Sequence, residues 1–151
     1  MFQPEYRQLQ LDAVLANISL PPGISIRSWV QADFPNVQRL AITEGWSSFQ
    51  DRPDAVLTAY ENSWPVLVAI YNDAVIGFVR ALTDGQLTMY IAEILVGAEY
   101  RRLGIGRALL DTCHHLYPNT RQDLLSDEDT ILFYETLNYR RCQGFRKSYS
   151  Y

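Results

Sequence analysis

The stretch Ala92–Leu110, AEILVGAEYRRLGIGRALL, runs from an apolar segment into two glycines one residue apart, with three arginines around them. Ala92–Val96 reads as the end of a strand. Beyond the glycines, Ile105, Ala108, Leu109, Thr112, Cys113 and Leu116 recur at helical spacing, and Pro118 stops the pattern. A strand that turns straight into a helix leaves the first helical N–H groups unpaired, and the dipole adds about half a positive charge there. Gly104 and Gly106 have no β-carbon, so a ligand can approach the backbone closely. The pattern predicts an anion cradle suited to a pyrophosphate. Arg101, Arg102 and Arg107 add charge at its rim.

Three kinds of phosphate loop compete for this turn. A Walker A loop needs Gly-Lys-Ser/Thr, and the sole lysine, Lys147, is far away. A dinucleotide fingerprint needs a third glycine where Leu109 stands, early in a parallel unit. What remains is R/Q-x-x-G-x-G/A after a long strand, filled by Arg101, Gly104 and Gly106. This strongly resembles the acetyl-coenzyme A signature of the GNAT superfamily of N-acetyltransferases. A second motif agrees: DEDTILFYETLNY, residues 127–139, is similar to that family's C-terminal N-x-x-A-x-x-F-Y-E-K-L-G-F. Asp127 takes the place of the usual Asn, and Asn138 that of the usual Gly. ISIRSWVQADF also fits the family's first strand and helix, so the resemblance spans roughly residues 24–146.

Working outward, the surrounding segments read as one α+β layer around a single sheet. SLPPG breaks the chain at residues 19–23, leaving residues 1–20 as an N-terminal extension with room for one short helix and residues 21–151 as the main domain. ISIRSW reads as a strand, and Asp33 as the N-cap of a helix over FPNVQRLAITEGW. RPDAVLTAYENS predicts a helix with Pro53 in its first turn. PVLVAIY and AVIGFVRAL, separated by Asn72-Asp73, signal a hairpin, and TDGQ leads to LTMYIAEILV. These three runs predict an antiparallel meander. RQDLLS reads as a short strand, DEDTILFYETL as a helix capped by Ser126 or Asp127, and FRKSYSY as a last strand.

Composition narrows the function classes. A chain of 151 residues is the length of one domain and hides roughly 70% of its unfolded surface. No apolar run approaches the ~20 residues of a membrane span, and the N-terminus lacks the pattern of a signal peptide. The two cysteines, Cys113 and Cys142, show no metal-ligand spacing, which predicts free thiols in a reducing, cytoplasmic setting. The net charge of −4 argues against general nucleic-acid affinity. Residues 1–100 carry a balance of −6 and residues 101–151 one of +2. An anionic ligand therefore suits the C-terminal third and a cationic one the rest.

The resemblance implies a mostly antiparallel sheet that splays beside the glycine turn, with acetyl-CoA in the gap as co-substrate. By similarity, backbone groups of Leu95 and Val96 bind the pantetheine arm. The segment Arg101, Arg102, Leu103, Gly104, Ile105, Gly106 and Arg107 takes the pyrophosphate. Tyr134 matches the F-Y tyrosine that donates to the leaving sulfur; the alternative is a core tyrosine. Glu93, two residues before Leu95 and hence on its face, is the candidate base for the amine. It could equally anchor an ammonium, pair with Arg80 or Arg102, or face solvent. Trp46 and Phe49 border the acceptor pocket in similar proteins; the alternative is that Trp46 plugs the core.

No metal is implied: His114 and His115 are adjacent without a third ligand. The expected activity is transfer of acetyl to a primary amine of a small molecule in a ternary complex, without nucleic-acid or membrane partners. The alternatives are a cofactor-binding sensor without turnover, and a protein N-terminal or lysine acetyltransferase. The aromatic-rich C-terminus could pair with a second copy as a homodimer.

Overall fold

The computed structural model describes residues 4–150. The chain opens with helix α1 (Pro4–Leu15), then strand β1 (Ile24–Ser28). Three helices follow, α2 (Phe34–Thr43), α3 (Ser48–Asp51) and α4 (Pro53–Glu61). The meander is β2 (Val66–Tyr71), β3 (Ala74–Thr83) and β4 (Thr88–Val96). Helix α5 (Ile105–Leu116), β5 (Arg121–Leu124) and α6 (Ile131–Thr136) complete it. The strands lie in the order β1-β2-β3-β4-β5, antiparallel except for the parallel β4–β5 pair.

Local chemistry accounts for the turns. Asn72 and Asp73 both take positive φ, 48° and 63°, the geometry of a two-residue hairpin that follows strand twist. In the next turn the Asp84 carboxylate accepts from the amides of Gln86, Leu87 and Thr88. Pro53 opens α4 as expected. Asn138 ends the last helix at φ 67°, the left-handed conformation usually left to glycine.

The sheet is covered on both faces, which explains why β2 is apolar at every position. Leu67, Ala69 and Tyr71 join α1 and α5 in one cluster. Val66, Val68 and Ile70 join Val37, Phe49 and Tyr60, under α2–α4, in the other. Helix α1 belongs to the first cluster: Leu11 is fully buried, and Gln10 Nε2 donates to the Leu116 carbonyl at 2.6 Å.

Two expectations need correction. Asp33 does not cap α2. Its carboxylate turns back to accept from the Val30 amide at 2.9 Å and pairs with both terminal nitrogens of Arg27. Burial opposes its charge, but Arg27 and the Val30 amide outweigh that and hold the carboxyl below its usual range. The tail FRKSYSY is not a strand among the described residues. Residues 140–150 are all exposed, and Arg140, Arg141, Arg146 and Lys147 leave no apolar alternation to cover the edge of β5. The tail instead passes Leu125, close against Gly144, and brings the Tyr149 hydroxyl within 3.2 Å of Ser48 Oγ. The Arg52 guanidinium stacks on the Tyr149 ring at 4.7 Å.

Because Leu11 fills the seam between α1 and α5, Leu11→Ala should cost about 2–5 kcal/mol. Chemical denaturation of the full chain would measure it, and an unchanged midpoint would mean that α1 adds nothing to the core.

Candidate functional site

Strand β4 is longer than its outer neighbour. β5 pairs only with Thr88–Ile91, so among the described residues Ala92–Val96 has no strand on that side. A β-bulge marks the same point: the β3–β4 register steps from Ala81↔Ile91 to Arg80↔Glu93, leaving Ala92 unopposed. The bulge decides where Glu93 points. Ile91 packs in the α5 cluster, and strict alternation would send Glu93 there too. Instead Glu93 shares the opposite face with Leu95, beneath α4.

The free edge presents peptide groups. The Gly97 amide donates to Ile76 O of β3 at 2.8 Å, whereas Val96 O turns away and accepts from Arg101 Nε at 3.0 Å. Peptide groups alternate in direction along a strand, so Leu95 faces β3, opposite Phe78. The residue that shares the outward edge with Val96 is therefore Ile94. This corrects the sequence reading, which named Leu95.

Past Val96 the chain is pinned before it turns. A short turn at Ala98–Tyr100 is closed by the Tyr100 amide on Gly97 O at 2.9 Å, and the Tyr100 ring packs on Tyr71 at 5.9 Å. Arg102 and Gly104 then adopt positive φ, 65° and 84°. Gly104 is the N-cap of α5, and a β-carbon there would meet nothing within 4 Å. The space in front of the helix is open. Ala108 N–H bonds Gly104 O, so the amides of Ile105, Gly106 and Arg107 form the unpaired first turn. A β-carbon on Gly106 would sit 3.4 Å from the Phe133 ring and 3.8 Å from Val96. Phe133 thus stands at the mouth of the gap; it was not singled out in the sequence, although it is the F of the F-Y pair.

The arginines are less uniform than the sequence implied. Arg102 is exposed at the cradle. Arg107 lies 3.5 Å from Asp111, one helical turn along. Arg101 is committed to Val96 O and to Glu44 at 2.5 Å, so its guanidinium ties the loop to the end of α2. Leu103 is exposed, and Ile105 is buried with only its amide to offer.

Tyr134 is 9% exposed and packs against Phe133 and Tyr139. Burial, with a smaller contribution from Asp127, pushes its phenol up to about 12. Among the described residues no hydrogen bond holds its hydroxyl, while the neighbouring Tyr139 hydroxyl donates to Gln122. Asp127 uses its carboxylate to cap the turn before α6, accepting from Thr130 N at 3.1 Å.

Glu93 pairs with Arg80, one of the alternatives read from the sequence. Its Oε2 accepts from Arg80 Nε and, at 3.4 Å, from the Tyr60 hydroxyl. Oε1 takes no hydrogen bond among the described residues. Arg80 also donates to Ser63 Oγ at 3.1 Å and lies over the Tyr60 ring. Burial, with Glu93 adding to it, raises the Tyr60 phenol well above its ordinary value, so it stays a donor.

Trp46 and Phe49 pack on each other at 6.1 Å but differ in exposure. Phe49 is 2% exposed and packs on Tyr60 and Phe78, so it is a core residue rather than a pocket wall. Trp46 is half-buried, edge-on to Phe78 at 6.3 Å. His114 and His115 are exposed on α5. Cys113 is buried, which pushes its thiol up to about 12, and Cys142 is exposed in the tail.

Comparison with known proteins gives one direction. The profile described as the Acetyltransferase (GNAT) family matches residues 24–139. A search of curated proteins finds no match. Among solved structures, a GNAT-family acetyltransferase from Streptococcus pneumoniae is 22% identical with a TM-score of 0.70, over 83% of this chain and 96% of its own. An aminoglycoside acetyltransferase from an uncultured soil metagenomic sample, solved with trehalose, is 19% identical with a TM-score of 0.64, covering 88% and 99%. PaiA N-acetyltransferase from Thermoplasma acidophilum, solved with coenzyme A, is 15% identical with a TM-score of 0.61, covering 76% and 86%. At these identities the likeness is one of fold.

A carboxylate placed in the open space at Gly104 opposes any anion held by the helix. Gly104→Glu should strain the turn by about 1–2 kcal/mol yet leave the chain folded, and weaken coenzyme A binding by about 100-fold. Calorimetric titration would measure this; unaltered affinity would rule the cradle out as the anion site.

Proposed function

The chain belongs to the GNAT acetyltransferase family, and we propose that it moves an acetyl group from acetyl-CoA to a primary amine of a small molecule. The observation that carries this reading is the junction of an unpaired β4 edge with a left-handed glycine at the head of α5. Coenzyme A needs both features at once: peptide groups for the amides of its arm, and N–H groups for its pyrophosphate. A structural neighbour was solved with coenzyme A, which supports the match.

In this reading the amides from Arg102 to Arg107 take the pyrophosphate, with Arg102 contributing charge. Ile94 and Val96 pair with the pantetheine arm, and Phe133 gives it an apolar wall. Leu95 keeps β4 bound to β3 while its neighbours serve the ligand. The amine comes from the α2–α4 side, past Trp46, and meets Glu93 Oε1. The acidic balance of residues 1–100 favours a cationic acceptor.

The reaction is direct attack in the ternary complex. The amine lone pair forms the new C–N bond as the C–S bond breaks. The departing sulfur takes a proton from Tyr134, and the amine sheds its own through water to Glu93 or to solvent. Tyr134 suits this role because its phenol keeps its proton to about 12 and its hydroxyl is not engaged elsewhere among the described residues.

Tyr134→Phe should lower turnover by about 100-fold, the lower end of what a positioned acid supplies, with coenzyme A affinity unchanged. Thiol release against a panel of amines measures it, and equal turnover would remove Tyr134 as the acid. Tyrosine ionises above its pKa, so the raised value extends its acid form upward. The wild-type rate should therefore hold on the alkaline side up to about pH 10, where an ordinary tyrosine is half ionised. Glu93→Gln should cut kcat/KM by about 10-fold or more while coenzyme A still binds. Wild-type protein that binds coenzyme A yet acetylates no amine would favour the sensor reading.

A further inference from the structure

Arg80 and Glu93 sit opposite each other at the bulge, on β3 and β4. Both side chains are partly exposed, and both lie on the α2–α4 face beside Tyr60. The Arg80 guanidinium is fixed from three directions. Its Nε donates to Glu93 Oε2, its Nη1 donates to Ser63 Oγ at 3.1 Å, and it lies over the Tyr60 ring at 5.5 Å. Ser63 is oriented to accept, because its own hydroxyl donates to Ala59 O at 2.5 Å.

This arrangement leaves two atoms over. In a guanidinium, the edge that carries the Nε proton also carries one Nη2 proton, and a carboxylate that meets this edge squarely takes both. Glu93 takes one. Its Oε2 reaches Nε, while Oε1 and Nη2 have no hydrogen-bond partner among the described residues. Both atoms keep contact with solvent. An unengaged acceptor and an unengaged donor, opposite in charge and carried by paired side chains, thus lie on the face from which the amine comes.

We propose that the acceptor is an amino acid, an amine with a carboxylate on the adjoining carbon. This rests on the acetyl-transfer reading and names the substrate class of that same site. The amine group meets Glu93 Oε1, and the substrate carboxylate meets Arg80 Nη2. An α-amino acid carries both groups on one carbon, which suits a donor and an acceptor on neighbouring side chains. A simple amine leaves Nη2 unmet. A simple carboxylate leaves Oε1 unmet and faces the charge of Glu93. A zwitterion has no net charge, so these contacts decide its binding rather than the acidic balance of residues 1–100. The transfer is unchanged: the C–N bond forms as the C–S bond breaks, and the substrate carboxylate takes no part.

Calorimetric titration of the full chain saturated with coenzyme A tests this without turnover. Alanine, leucine, phenylalanine and lysine are each compared with the amine that lacks the carboxylate: ethylamine, isopentylamine, phenethylamine and cadaverine. The acid 3-phenylpropionate supplies the carboxylate alone. At least one amino acid should bind saturably, and about tenfold or more tightly than its amine, the scale of one charge-assisted hydrogen bond. Phenylalanine should likewise bind more tightly than 3-phenylpropionate. Arg80→Lys keeps a cation beside Glu93 but removes the fork, and should bring the ratio of amino acid to amine close to one. If that variant does not fold, the wild-type ratios decide alone. No saturable binding by any amino acid, no preference over the amines, or a ratio unmoved in Arg80→Lys would each overturn the proposal. Thiol release from acetyl-CoA is scored separately. Amines acetylated as well as amino acids would overturn this proposal and leave acetyl transfer standing, whereas intact binding preference without any turnover would strike the transfer reading alone.

Discussion

The structure turns on a hydrogen-bond ladder that stops early. β5 accompanies β4 only as far as Ile91, and beyond it the peptide groups of Ile94 and Val96 face a gap. A protein interior rarely leaves such groups without partners. Arg101 meets one of them by reaching back to Val96 O. The rest of the edge is suited to a guest whose own amides can extend the sheet. Residues 92–96 lead directly into the turn that opens α5, so the open edge and the unpaired first turn of the helix belong to one continuous piece of chain. Rigidity comes from beneath: Gly97 is bonded to β3, and Tyr100 is stacked on Tyr71.

The bulge at Ala92 gives the two faces of the sheet different tasks. On the α5 side, Met89, Ile91, Ile94 and Val96 help bury the helix that carries the cradle. On the other side the pattern breaks to admit Glu93, and the cost of a half-buried carboxylate is offset by Arg80 and Tyr60. Tyr60 in turn is wedged against Phe34, Phe49 and Phe78. The aromatic cluster under α2–α4 thus fixes the position of Glu93 through Tyr60. Phe49 belongs to that support, which is why it cannot also face a substrate.

Much of this was legible in the sequence because the signals were local. The glycine pair, the Asn72-Asp73 turn, the helical stripe from Ile105 to Leu116 and the Pro53 start each follow from the stereochemistry of a few adjacent residues. What the sequence hid was longer in range. Nothing local marks Ala92 as a bulge, and a bulge upstream leaves the facing of each peptide group open; the outward pair became Ile94 and Val96 rather than Leu95 and Val96. Asp33 looks like a cap until Arg27, six residues earlier, claims its carboxylate. FRKSYSY has strand-forming residues, but four cations among residues 140–147 deprive it of a buried face. Phe133 was within a matched motif, yet only the fold brings it opposite Gly106.

The chain holds just two sulfhydryls, and their settings differ completely. Cys113 is sealed inside α5 with its ionisation suppressed, whereas Cys142 rides on the exposed segment that leads to Ser48 and Arg52. Reactivity follows the thiolate, so a maleimide dye would attach at one position without mutagenesis. That gives a built-in attachment point for a spectroscopic reporter on the C-terminal strap, beside α3 and the start of α4.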